Sequence, residues 1–197
     1  MSSPSVIRLR RASAIALIAA TAGAFTACKP RADADEAFRP IAVGALVPEY
    51  TVRTLEGESA RIAPGEQVTL LHVWATWCGP CQEEFPEIEA IQKEFGPQGL
   101  RIVAVSVDEG DDDPVRAFVR DKGATFEIGR DPTGAVRRLY QGIGVPETYL
   151  ISADGRLLVR QFGAIPAGAQ AMREAIAKAL ATASARENSG TVRRAST

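Results

Sequence analysis

Apolar positions recur along this chain with two periods, and the switches between them divide it into elements. Residues 49–62, "EYTVRTLEGESARI", alternate around Gly57 and predict a β-hairpin. The following "QVTLLHVWAT" is almost unbroken in its apolar character, which predicts a central strand covered on both faces. Beyond Cys81 the period lengthens. Phe85, Ile88, Ile91, Gln92 and Phe95 fall on one helical face, with Gly96 placed to stop the helix. "LRIVAVSVD" predicts a second buried strand, followed by a helix over 114–122, a short strand in "TFEIGRD" and a short helix in "PTGAVRRLYQ". "PETYLISADGRLLVRQFG" predicts a hairpin turned by Asp154–Gly155, and a helix over 166–181 closes the domain. Consecutive βα units ending in an antiparallel hairpin specify an α/β fold: a central mixed sheet flanked by helices.

The two ends lack these periods. Residues 1–28 read as an export signal: the basic "RLRR" precedes an Ala-rich apolar run at 12–27, shorter than the roughly 20 residues a bilayer span needs. The run ends in "FTAC", where small residues before a cysteine match a bacterial lipoprotein cleavage site and make Cys28 the lipidation candidate, although Phe25 stands where Leu is usual. Ordinary signal-peptidase cleavage, an uncleaved anchor and a twin-arginine signal at Arg10–Arg11 are the alternatives. All of them carry the domain out of the cytosol. Residues 29–43 are polar and suit a tether, residues 44–183 form the domain, and residues 184–197 predict a disordered tail. The composition, 46% hydrophobic and 24% charged, suits a globular domain, and a net charge of −1 gives no reason to expect nucleic acid.

The chemistry concentrates in "HVWATWCGPC", residues 72–81, which holds the sole histidine, both tryptophans and two of the three cysteines. Zinc needs about four N or S ligands, and the domain offers one cysteine pair and one histidine, so no metal is expected. A structural disulfide between Cys78 and Cys81 would close too small a loop to remove much unfolded-chain entropy. A redox pair fits the location. At a strand-to-helix junction, free N–H groups and the helix dipole stabilise a Cys78 thiolate, and Pro80 is tolerated in the first turn. Cys78 would attack a partner's disulfide, and Cys81 would then resolve the mixed disulfide, with no cofactor needed. In "GIGVPETYL", Pro146 directly precedes a strand and reads as a candidate cis proline. It would present the Val145 backbone to an extended substrate segment.

Together, "WATWCGPC", "EEFP", "GVPETYLI" and the "DG" hairpin resemble the thioredoxin superfamily over about residues 44–182. More narrowly they resemble its membrane-anchored extracytoplasmic proteins of the TlpA, ResA and CcmG type. The resemblance implies a thioredoxin fold with an N-terminal β-hairpin and an extra helix–strand insert at 113–129, before the cis proline. It further implies a reducing role outside the cytoplasm. Electrons would come from a membrane thiol transporter and pass to disulfides of apocytochrome c or a copper-site assembly protein. Trp77, Gly79, Pro80, Val145 and Pro146 would meet the substrate.

A proton must leave Cys81, and two residues are candidates to take it. Glu84, three past Cys81, falls on the same helical face and matches the glutamate of the family's C-x-x-C-x-x-E-F-P pattern. His72 occupies the position where thioredoxin keeps a buried aspartate and many tethered relatives an asparagine; a half-buried neutral imidazole could accept the proton. A core histidine bonded to a carbonyl is the alternative. The acidic run "DEGDDD" at 108–113 lacks calcium-loop spacing and reads as a solvated turn capping the next helix. Two other functions compete. In a thioredoxin-fold peroxidase the P-x-x-x-T-x-x-C context would put Thr where Ala75 stands. A copper-binding assembly factor would carry C-x-x-x-C and a distal histidine, and no histidine follows Cys81.

Overall fold

The computed structural model describes residues 40–194, without the side chains of residue 187 and residues 189–194. The export signal, Cys28 and residues 29–39 of the tether lie outside the described residues. Among the described residues seven strands, β1 (Tyr50–Thr54), β2 (Ser59–Ile62), β3 (Thr69–Trp74), β4 (Arg101–Ser106), β5 (Glu127–Arg130), β6 (Glu147–Ile151) and β7 (Leu157–Phe162), form one sheet. Their order is β2-β1-β5-β4-β3-β6-β7. β3, β4 and β5 run parallel, while β6 joins β3 antiparallel and β7 extends the edge as its hairpin partner. The N-terminal hairpin adds to the other edge through β1 and β5. The mixed sheet expected from the residue pattern is therefore present, with β3 buried at every position.

The helices are α1 (Gly79–Phe95), α2 (Asp113–Lys122), α3 (Ala135–Leu139) and α4 (Gln170–Arg194). Strand alternation sends His72 and Trp74 to the face that α1 covers, where Trp74 and Phe85 rings lie 4.5 Å apart. Phe118 of α2 and Phe126 close the same cluster, at 4.9 and 5.7 Å from Phe85. A fully buried ring such as Phe85 stabilises the fold by about 1.5–3 kcal/mol, and the half-buried Phe118 by less. Tyr149, on the opposite face, packs on Tyr140 beside α3.

Pro86 lies inside α1 and lacks the N–H that would bond the carbonyl four residues back. That carbonyl, on Gln82, accepts instead from Lys122 Nζ at 3.0 Å, so α2 repairs the gap in α1. α1 stops where expected, with Gly96 as its C-cap, but Gly96 is right-handed and opens a 3-10 turn, so the left-handed reversal falls at Gly99, φ 100°. Gly155 turns the β6–β7 hairpin at φ 78°, and a Cβ there would meet Pro64 at 2.7 Å. The helix expected to end at Ala181, with a disordered tail from 184, continues to Arg194. Its extension, "SARENSGTVRR", contains no proline, and a helix already nucleated adds each further residue cheaply.

Candidate active site

Cys78 is the N-cap of α1, with extended backbone at φ −86° and ψ 107°, and its sulfur accepts from the Cys81 N–H at 3.2 Å. Cys78 and Cys81 form a disulfide. Only Cys78 keeps any exposure, 5% against 0% for Cys81, so an incoming thiol or disulfide meets Cys78. The Cys81 N–H of the first helical turn points at its sulfur, a contact suited to stabilising a thiolate there. Trp77 is 67% exposed beside it, and Gly79 and Pro80 are exposed on the helix start. The Val145–Pro146 peptide is cis. Glu147 pairs with Val73, so this peptide lies at the end of the sheet from which the cysteine loop leaves β3.

Glu84 and His72, expected as alternatives, are brought together. Both side chains are fully buried, with His72 Nε2 3.5 Å from Glu84 Oε1. His72 Nδ1 lies 2.9 Å from the Thr148 hydroxyl, and Glu84 Oε2 accepts from the Ile165 N–H at 2.7 Å. Burial pushes the Glu84 carboxyl up to about 7, against a smaller opposing pull from the Ile165 N–H. Burial also pushes the imidazole down to about 3, so it is neutral at pH 7. The imidazole is thus deeper than the half-buried site expected, because α1 lays Phe85 across it at 6.3 Å. Its Nδ1 partner is a hydroxyl rather than a carbonyl.

The acidic run corrects a second expectation. Asp108 is buried, not solvated, and accepts from the Thr76 N–H at 3.0 Å, the Thr76 hydroxyl at 2.5 Å and the Ser106 hydroxyl at 2.7 Å. It thereby ties the loop before Cys78 to the end of β4. Asp112 sits at the N-cap of α2 without capping it, because its carboxylate bonds Arg130 and Arg53 instead. A further buried pair was not legible as such. Glu147, directly after the cis proline, bonds Arg160 Nε at 2.8 Å, and Arg160 Nη2 reaches the Gln141 carbonyl at 2.6 Å. A Cβ on Gly142 would meet Glu147 Oε2 at 2.6 Å, so a side chain there would press on the buried carboxylate. The available signal was two charged residues inside apolar strands of one hairpin.

A disulfide at a helix N-cap, a cis proline on the adjacent antiparallel strand and this sheet order define a thioredoxin-fold redox protein. The AhpC/TSA family matches residues 43–160, and the chain belongs to it, among the TlpA/ResA/CcmG-type proteins. The thioredoxin-like protein YneN of Bacillus subtilis is 37% identical over 57% of this chain and 66% of its own length. The thiol-disulfide oxidoreductase ResA of Oceanobacillus iheyensis is 31% identical over 74% of this chain and 76% of its own. A crystal structure from Chlorobium tepidum, described as a thiol:disulfide interchange protein DsbE, superposes with a TM-score of 0.65 at 31% identity. The superposition covers 71% of this chain and 99% of that one. The chain is a thiol–disulfide oxidoreductase.

Proposed function

We propose that this oxidoreductase acts outside the cytoplasm, tethered to the membrane through a lipid on Cys28 or an uncleaved anchor, and reduces disulfides of exported proteins. Apocytochrome c and copper-site assembly proteins are the substrates of the resembling family that fit this role, and a membrane thiol transporter would supply the electrons. The Cys78 thiolate attacks a substrate sulfur, with the substrate strand lying along Val145 and Pro146 and against Trp77, Gly79 and Pro80. One substrate sulfur leaves as thiolate and the other stays joined to Cys78. Cys81 then loses its proton toward Glu84 and His72, attacks the Cys78 sulfur, and frees the second substrate thiolate.

The observation that carries this reading is the asymmetry of the pair: Cys78 alone is accessible, while Cys81 is buried on the helix that carries the raised Glu84 carboxyl one turn on. Cys81→Ser tests it. The variant accumulates a Cys78-linked mixed disulfide with exported proteins, which non-reducing electrophoresis and mass spectrometry identify. Recovery of no adduct from cells expressing Cys81→Ser, with adducts present for a known reductant, would sink the substrate claim. Peroxide turnover by the wild-type chain at rates matching disulfide exchange would favour the peroxidase reading instead.

A further inference from the structure

We propose that His72 changes tautomer in step with the charge on Glu84, so that Glu84, His72 and Thr148 take up and return one proton as a single unit serving Cys81. The proposal rests on Glu84 being the proton partner of Cys81.

Three distances carry it. His72 Nε2 and Glu84 Oε1 are buried, face each other at 3.5 Å, and lack another hydrogen-bond partner among the described residues. Buried polar atoms need partners, and the space between these two accommodates one hydrogen. Two hydrogens would collide, and none would oppose two lone pairs. Glu84 Oε2 is held by the Ile165 N–H at 2.7 Å, which keeps Oε1 aimed at the ring. On the far side of the ring, Nδ1 meets the Thr148 hydroxyl at 2.9 Å, a group able to donate or accept.

These constraints leave two arrangements. With Glu84 ionised, Nε2–H donates to Oε1 and Nδ1 accepts from the Thr148 O–H. With Glu84 protonated, Oε1–H donates to Nε2, and Nδ1–H donates to the Thr148 oxygen. Net, one proton enters in passing from the first to the second, and the imidazole is neutral in both. The passage is a relay: the Nε2 hydrogen moves to Oε1, the Thr148 hydroxyl hydrogen moves to Nδ1, and the Thr148 oxygen regains a proton from water. The unit thereby takes up as many protons as the Cys81 thiol gives up when its sulfur attacks Cys78. Burial keeps the imidazole uncharged and raises the carboxyl into the neutral range, so the exchange falls near pH 7. An asparagine at position 72 can offer the carboxyl either an N–H or an oxygen, but only by turning over; the imidazole does so without moving.

Few other charges bear on the pair. On α1, Cys78 and Cys81 are joined, Glu83 is exposed and Glu87 is engaged by Arg173 of α4. Ala104 of β4 and Thr148 of β6 stand opposite His72. Glu147 and Arg160 belong to the other face, Gln161 stands opposite Thr148, and residues 163–169 contain no titratable side chain.

The sole histidine makes the test direct, because its ring signals need no assignment. The oxidised full chain, labelled with ¹⁵N-histidine, is titrated from about pH 5 to about pH 9 and its ring nitrogens are followed by NMR. The Nδ1–H tautomer is expected at the acid end and the Nε2–H tautomer at the alkaline end, with a midpoint equal to that of the Glu84 carboxyl ¹³C signal. Thr148→Ser is expected to keep the switch. One tautomer throughout, or an imidazolium at the acid end, overturns the proposal. A separate measurement checks the underlying reading: Glu84→Gln should slow mixed-disulfide resolution about 100-fold. An unchanged rate would remove Cys81 from the unit and overturn that link, even with a tautomer switch in place.

Discussion

The sheet buries a carboxyl on each face near the cysteine loop and gives the two opposite partners. Glu147 meets Arg160, whose guanidinium keeps its positive charge at every accessible pH and also bonds the Gln141 carbonyl. Glu84 meets a neutral imidazole and one backbone N–H. A fixed cation makes the first pair a fastener: it anchors the start of β6, behind the cis proline, to β7. A neutral partner leaves the second carboxyl free to change charge near pH 7. Burial alone therefore does not let an acid change charge near pH 7; the charge state of what faces it decides.

The largest expected effect lies at the fastener. Arg160→Met leaves Glu147 buried without its counter-ion and should destabilise the fold by about 3–5 kcal/mol, measured by urea unfolding. Cys78 alkylation in the folded fraction should change little. At Glu84 the balance is reversed. Glu84→Gln should slow resolution of the mixed disulfide about 100-fold while leaving formation of that disulfide at Cys78 near the wild-type rate. If Arg160→Met proves mainly kinetic and Glu84→Gln mainly destabilising, the division of labour between the two acids is wrong.

How much of this was legible differs between backbone and site. The periods of 2.0 and 3.6 located every strand and helix because burial on one or both faces leaves a local mark. The Cys78–Cys81 disulfide and the cis bond before Pro146 were legible because each depends on neighbours in sequence. Asp108 was not: its partner Thr76 sits 32 residues away, and only the parallel β3–β4 pairing brings them together. The His72–Glu84 contact depends on α1 folding back over β3, so the sequence offered two separate proton acceptors where the structure places one pair. The helical stretch beyond residue 183 escaped for another reason. A segment with no apolar face gives no periodic signal, although its residues tolerate a helix that arrives from upstream.

The pH dependence of stability follows from the same contact, because the two buried members of the pair pull in opposite directions. The Glu84 carboxyl is raised from 4.5 to about 7, so the unfolded chain ionises it first. Its contribution is complete below about pH 4.5 and is lost as pH rises to about 7. The imidazole is lowered from 6.5 to about 3, so only the unfolded chain binds its proton in between. That contribution grows as pH rises from about 3 to about 6.5. Each slope is about 1.4 kcal/mol per pH unit, and between about pH 4.5 and 6.5 they offset each other. Urea midpoints should therefore be nearly level there in wild type, fall with pH in His72→Asn, and rise with pH in Glu84→Gln. Matching slopes in the two variants would show that burial does not shift the two groups in opposite directions.

The smallest effect belongs to a pair with the chemistry of Glu147–Arg160 but without its burial. Arg53 bonds Asp112 at 2.9 Å, with the arginine side chain 56% exposed. Asp112 keeps Arg130 as a second partner at 2.8 Å, so removal of Arg53 strands no charge. Water and salt also screen the exposed guanidinium, which the interior cannot do for Arg160. Arg53→Ala should cost below about 1 kcal/mol, and the cost should shrink as ionic strength rises. A loss as large as that of Arg160→Met would mean that ion-pair geometry, not enclosure, sets the strength of these contacts. The contrast drawn between the two faces of the sheet would then have to be rebuilt on distance alone.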